Sequence, residues 1–139
     1  MAISIAVAVG DVGDELIAKL LPRIDQLKVG NGLKGDSDMG PLVTAEHKAK
    51  VEGFIDEGVA QGAQLIVDGR NFKVPGAENG FFVGATLFDN VTTEMSIYQQ
   101  EIFGPVLGIV RVPDFASACL LYTSPSPRDL STSRMPSSA

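Results

Sequence analysis

The chain has little of several residue types on which protein chemistry often depends. Its 139 residues include one cysteine, one histidine and no tryptophan, and aromatic residues make up only 6%. One cysteine cannot form an intrachain disulfide, which favours a reducing compartment, so we expect a cytoplasmic location. A single histidine cannot by itself supply the three or four converging ligands of a metal site. The composition therefore predicts no disulfide framework and no metal centre.

Positive charge is also scarce, because 11 Lys and Arg residues face 17 Asp and Glu residues. A net charge of -6 argues against a nucleic-acid surface, which needs clustered basic side chains. The apolar residues 1–9 have no basic flank and meet Gly10 too early for a signal peptide or a membrane span. We therefore expect neither nucleic acid nor a membrane as a partner.

What the chain does contain is 45% apolar residues, enough for a soluble globular domain. Apolar runs predict strands at residues 3–9, 64–68, 82–88 and 106–112. Helical spacing predicts a helix capped by Asp11 or Asp14 with a kink or break near Leu21, because Pro22 interrupts it. Two further helices are predicted, one capped by Thr44 and one beginning near residue 113. Alternating strands and helices predict an α/β fold, a sheet with packed helices.

The composition changes near residue 119. From residue 123 to 139, eleven of seventeen residues are Ser, Thr or Pro, which predicts disorder because little apolar surface can be buried. Composition alone favours a flexible natural tail, but the run at residues 120–129 resembles translated sequencing-adapter read-through, which favours a non-native origin. We therefore predict one domain at residues 1–118 and a disordered, non-native tail at residues 119–139.

Three features resemble functional sites but have simpler explanations. Residues 30–35 match G-x-G-x-x-G, yet they follow a predicted helix and precede two aspartates, so a glycine-rich turn is the better interpretation. His47 lies beside lysines in the first turn of a polar-faced helix, which predicts a solvated surface position. The acidic pairs Asp36 with Asp38 and Asp56 with Glu57 match no EF-hand spacing and are also predicted to be solvated.

The segment Q-E-I-F-G-P-V at residues 100–106 is the strongest candidate site. Glu101 is next to apolar residues, so its carboxylate must be exposed or meet hydrogen-bond donors such as a ribose diol. Phe103 could present an apolar face to a nicotinamide ring, and a Gly-Pro pair then turns the chain into a strand. The alternative is a surface glutamate beside a buried phenylalanine, and the chemistry alone favours neither.

This segment is similar to the E-I-F-G-P-V block of the NAD(P)-dependent aldehyde dehydrogenase family. Further similarities follow in the order of that family at M-G-P-L-V (39–43), G-A (62–63), G-F-F-V (80–83) and T-L-F (86–88), so that the resemblance covers residues 1–118. It implies that Glu101 binds the nicotinamide ribose of NAD and that Phe103 packs near the nicotinamide. No catalytic residue is implied within the chain.

Within the family, M-A-I-S (1–4), V-D-G-R (67–70) and I-Y (97–98) most resemble the CoA-acylating branch that acts on methylmalonate semialdehyde. The resemblance implies a parent enzyme that oxidises a semialdehyde through a cysteine adduct, passes a hydride to NAD and transfers the acyl group to CoA. It places the nucleophilic cysteine directly before Met1, and Cys119 is no substitute.

We therefore expect a fragment of part of the catalytic domain, inactive alone, whose parent is a homo-oligomer. Two alternatives stay open. One is a fragment of another NAD- or NADP-dependent aldehyde dehydrogenase, and the other is a non-enzymatic α/β interaction module.

Overall fold

A computed structural model of the chain describes residues 3–123. Its elements are strands β1 (Ile5–Val9), β2 (Gln64–Val67), β3 (Thr86–Asp89) and β4 (Val106–Val112), with helices α1 (Val12–Asp25), α2 (Ala45–Ala60), α3 (Ser96–Gln99) and α4 (Phe115–Thr123). A single turn of 3-10 helix at Gly32–Lys34 lies in the long connection between α1 and α2. The predicted α/β class is confirmed.

The four strands form one sheet in the order β1-β4-β3-β2. β4 is central, and its sequence VLGIVRV is apolar on both faces as expected for a strand covered on two sides. It runs parallel to β1 and β3, whereas β2 is an antiparallel edge strand. Ile5 pairs with Gly108, so the amino ends of β1 and β4 lie at the same end of the sheet.

Two hydrophobic clusters cover the two faces of the sheet. On one face, Val106 and Val110 of β4 pack with Val51 and Ile55 of α2, and α4 adds Ala118 and Leu121. On the other face, Ile109 packs with β1, β3 and the apolar side of α1, which consists of Leu16, Ile17, Leu20 and Ile24. The result is a sheet between helical layers, with alternate residues of β4 facing each layer.

An ion pair lies on the α1 face of the sheet. Arg111 donates from Nε to Asp89 Oδ1 at 2.9 Å and from Nη2 to Asp89 Oδ2 at 2.7 Å, and Nη2 also reaches Asp14 Oδ1 at 2.6 Å. The hydrogen bonds from Arg111 hold the pKa of the Asp89 carboxyl below its ordinary value, although burial acts in the opposite direction. The pair joins β3, β4 and α1. No sequence pattern indicated this contact.

Two predicted element boundaries are wrong. α1 continues through Pro22 to Asp25, so a break near Leu21 is wrong, and the alternative of a kink stays a prediction. Only three helical residues follow the proline, and Leu20 and Ile24 on either side of it pack against the sheet. The strand predicted at residues 82–88 is limited to Thr86–Asp89, because the backbone of Gly84 turns to Gly69, where Gly84 N donates to Gly69 O at 2.8 Å.

The predicted tail, residues 119–139, overlaps the end of the last helix. α4 extends to Thr123, because Ala118 and Leu121 pack against the core and hold this last turn. Residues 119–123 are therefore helical, whereas the domain boundary at residue 118 stays a prediction. The remainder of the predicted tail, residues 124–139, lies outside the described residues. Its disorder and its non-native origin stay predictions.

Candidate functional site

The candidate site is the loop of residues 101–105, which connects α3 to the central strand β4. Its side chains alternate in exposure: Ile102 is buried in the core, whereas Glu101 and Phe103 are exposed on either side of it. Pro105 O accepts a hydrogen bond from Thr86 N of β3 at 2.8 Å. The loop is therefore anchored by the buried side chain of Ile102 and, at its end, by the hydrogen bond from Thr86 of the sheet.

Phe103 has an unusual backbone. Its φ is +54°, in the left-handed region that glycine favours and bulky residues seldom adopt. A non-glycine residue held there costs on the order of 1–3 kcal/mol and persists only where its surroundings enforce it. Its ring is also 73% exposed, so packing of the ring does not explain the conformation. Such strain is concentrated at functional sites.

Gly104 lies directly against α2. A Cβ atom added there would come within 2.8 Å of both Cγ atoms of Val51, which is fully buried. Real Cβ atoms essentially never approach that closely, so any larger residue would displace either the loop or the helix. Glycine at this position therefore allows the loop to approach α2.

His47 holds the same loop from the same helix. Thr44 caps α2 as predicted, since its Oγ1 accepts from His47 N at 3.0 Å. The imidazole Nε2 of His47 lies 2.8 Å from Phe103 O. The predicted surface position is only partly solvated, because His47 is half-buried and its imidazole is bonded to the candidate site.

The Glu101 carboxylate is exposed and has no hydrogen-bond or ion-pair partner among residues 3–123. An exposed carboxylate next to an exposed ring can accept hydrogen bonds from a ligand that has both hydroxyl groups and a flat apolar portion. Glu101 and Phe103 are thus both exposed in one short loop, and their contact with a cofactor stays a prediction. Both of them are available to an external molecule.

The other candidates form no site. Residues 30–35 contain a 3-10 turn capped by Asn31, and the next α-helix begins only at Ala45, so no helix opens from the glycines. Asp38 accepts from Lys28 N at 2.9 Å, and Asp56 pairs with Arg70. In the described part of the chain, no group of three His, Cys, Asp or Glu side chains could hold a metal ion. Cys119 lies exposed on α4, after the carboxyl end of β4.

Sequence patterns missed His47 because its partner is 56 residues away along the chain. A partial signal was present, since a threonine cap fixes the start of α2 and so determines which residues occupy its first turn. That signal predicts the position of His47 on the helix. It does not predict what the helix packs against.

Comparison with known proteins gives consistent results. The aldehyde dehydrogenase family matches residues 1–122. A malonate-semialdehyde dehydrogenase of Pseudomonas aeruginosa is 62% identical over 122 residues, which cover 87% of this chain and 24% of that protein. The resemblance inferred from the ordered motifs is confirmed at the level of the family.

Solved structures agree with the fold. A protein assigned as methylmalonate-semialdehyde dehydrogenase from Sinorhizobium meliloti 1021, complexed with NAD, matches with a TM-score of 0.84 and 49% identity over 86% of this chain and 25% of its own. The methylmalonate-semialdehyde dehydrogenase of Oceanimonas doudoroffii matches with a TM-score of 0.80 and 52% sequence identity. The match covers 83% of this chain and 24% of that protein. No helix within residues 3–123 is long and apolar enough to cross a membrane. The chain spans about a quarter of the length of these relatives, and it belongs to the aldehyde dehydrogenase family.

Proposed function

We propose that this chain is the part of an NAD-dependent semialdehyde dehydrogenase that holds the nicotinamide-ribose end of the cofactor. The observation that carries the proposal is Phe103, an exposed aromatic residue fixed in a left-handed conformation by contacts on two sides. A strained, exposed ring contributes little to folding, so a ligand contact accounts for it best. When bound, NAD supplies a hydride acceptor.

Each residue has a definite role in the proposal. The Glu101 carboxylate accepts hydrogen bonds from the two ribose hydroxyls, and the Phe103 ring limits the movement of the nicotinamide. Ile102, buried between them, fixes their spacing. Holding a reactant in one orientation lowers the barrier by removing rotational freedom before the reaction begins.

The sheet topology supports a nucleophile outside this chain. β1 and β4 are adjacent and parallel, and Gly108 N donates to Ser4 O at 2.9 Å near their amino ends. A residue that precedes β1 would therefore lie at the same end of the sheet as the loop of residues 101–105. We propose that the family's cysteine occupies such a position upstream and that Cys119 takes no part. The chain alone is then expected to be inactive.

The names of the relatives support a substrate class. They are malonate- and methylmalonate-semialdehyde dehydrogenases, and their identity to this chain is 49–62%. We propose that the whole enzyme oxidises methylmalonate semialdehyde and transfers the acyl group to CoA to give propionyl-CoA. Another aldehyde in place of methylmalonate semialdehyde is the alternative. Product formation that does not depend on CoA would favour it.

The test is a hybrid enzyme in which residues 1–122 replace the matching quarter of the Pseudomonas aeruginosa relative. We expect E101A to lower kcat/KM for NAD by about ten- to a hundredfold, because hydrogen bonds to a charged group are lost. E57Q, at an exposed glutamate on α2, is the control and should stay within about twofold. An unchanged kcat/KM for NAD in E101A would contradict the proposal.

A non-enzymatic interaction module is the second candidate, and the edge strand β1 favours it. Val7 on this strand is 40% exposed, and within residues 3–123 β1 pairs with β4 alone. Such an edge can accept a strand from a different protein, so an independent module would use it for a partner and would be a monomer by itself. Sedimentation of the 139-residue chain distinguishes the two candidates: a fragment should self-associate, whereas an independent module should be a monomer that unfolds cooperatively.

A further inference from the structure

The contact between His47 and Phe103 has a consequence for cofactor binding. We propose that His47 is a positioning residue, which holds the Phe103 backbone so that the ring is presented to the nicotinamide. The inference rests on the proposed function, because it assigns His47 a role at that same site. His47 itself is not proposed to touch the cofactor.

His47 is the donor in its hydrogen bond to Phe103. A carbonyl oxygen only accepts, so His47 Nε2, at 2.8 Å from Phe103 O, must carry the proton. The donor is the side chain of a half-buried residue whose own backbone N–H is bonded to Thr44 Oγ1 at 3.0 Å. The imidazole is therefore projected from a capped, ordered first turn of α2. It is a fixed donor aimed at one carbonyl.

Helix α2 contacts two consecutive residues of the loop. His47 and Val51 are four residues apart, so their side chains lie on the same face of the helix. His47 binds the carbonyl of Phe103, and Val51 packs against Gly104. One helix face thus fixes both ends of the peptide unit that joins Phe103 to Gly104. Ile102, whose side chain is buried, holds the peptide unit before Phe103, so both peptide units that flank Phe103 are held and its φ stays positive.

Loss of the hydrogen bond from His47 should allow the backbone of Phe103 to relax. Phe103 in a left-handed conformation is strained, and a strained residue relaxes unless its surroundings prevent it. Without the donor at position 47, the backbone at Phe103 is free to rotate about its N–Cα bond toward the ordinary region, and this rotation carries the exposed ring with it. The expected result is a poorly positioned nicotinamide in an enzyme that is otherwise folded.

The experiment uses the hybrid enzyme with three variants of His47. H47A removes the donor, H47F keeps a planar ring without the donor, and H47Q keeps an N–H donor of similar reach. We expect H47A and H47F to lower kcat/KM for NAD by about tenfold, as for the loss of one well-placed hydrogen bond. The KM for the aldehyde should change less than twofold, and H47Q should recover most of the loss.

E46A is the matched control, because Glu46 is an exposed residue in the same first turn. It should leave kcat/KM for NAD within about twofold. Hydrogen–deuterium exchange of a peptide covering residues 100–106 should be faster in H47A and H47F than in E46A.

The possible results separate the two proposals. If E101A impairs NAD use and all three His47 variants behave like E46A, the inference about His47 is overturned and the proposed function stands. If H47Q is as impaired as H47A, or if the KM values for NAD and aldehyde rise together, His47 is merely structural and the inference also fails. If E101A has no effect, the proposed function itself fails.

Discussion

Two loops of this protein contain glycine within a recognisable sequence motif, but they are stabilised in different ways. The loop of residues 30–35 is stabilised by local bonds, such as Leu33 N to Asn31 Oδ1 at 3.0 Å and Gly30 N to Met39 O at 2.9 Å. The loop of residues 101–105 is held by α2 and β3, through His47, Val51 and Thr86. Only the second loop contains a strained, exposed aromatic residue.

The difference indicates how a ligand-binding loop can be recognised. A loop closed by its own neighbours adopts whatever conformation its turn residues favour. A loop held by distant elements can be kept in a conformation that its own residues disfavour, and this allows a large ring to stay exposed in one orientation. The G-x-G-x-x-G pattern therefore marks a turn here, whereas the less glycine-rich motif marks the candidate site.

The largest expected effect comes from adding one methyl group to each loop. G104A places a Cβ within 2.8 Å of Val51, whereas a Cβ at Gly32 meets nothing within 4 Å. We expect G104A to lower the free energy of unfolding by about 1–3 kcal/mol, as for an overpacked core, and G32A to change it by less than about 0.5 kcal/mol. Denaturant titration of the hybrid enzyme, with the unmodified hybrid as the reference, measures both. Equal effects would show that the two loops are not held differently.

Acid should weaken the sheet that supports the second loop. The pKa of Asp89 is lowered by Arg111, so the stability from this pair is present above about pH 4, the ordinary range of aspartate, and is lost as the pH falls through the lower folded-state value. We expect D89N to reduce stability by about 1–2 kcal/mol at pH 7, because Asp89 is buried but Arg111 is partly exposed.

The difference between D89N and the unmodified chain should then shrink as the pH falls below about 4. Other carboxylates titrate in both proteins and cancel in this comparison. Free energies of unfolding measured at several pH values check it. A difference that is constant with pH would contradict the role of Asp89.

The smallest expected effect is a difference in which residue, glycine or alanine, gives the more stable protein at one position in each loop. F103G should be more stable than F103A by about 0.5–1 kcal/mol, because glycine adopts the left-handed region without strain. Leu33 is almost fully exposed and its φ is not positive, so L33A should be more stable than L33G by a similar amount. The same sign at both positions, in thermal or denaturant unfolding, would show that Phe103 is not strained.

Much of the fold could be predicted from local pattern. The apolar run of β4 predicted its bounds at residues 106–112, and Thr44 marked the start of α2. Predictions failed where long-range contacts override local preference. α1 tolerates Pro22 because its flanking apolar residues pack on the sheet, and the strand before Thr86 is shortened because Gly84 turns to Gly69. Those partners are invisible to a local pattern.

The sequence by itself determined the family, because an ordered series of short motifs over residues 1–118 is specific even where each motif is weak. It also predicted Glu101 and Phe103 as the candidate cofactor contacts. Only the tertiary structure decided that Phe103 is strained, that Gly104 meets Val51 and that His47 holds the loop. The physical reason is distance along the chain: α2 and the loop are about fifty residues apart in sequence, and only the shared core of the sheet brings them into contact.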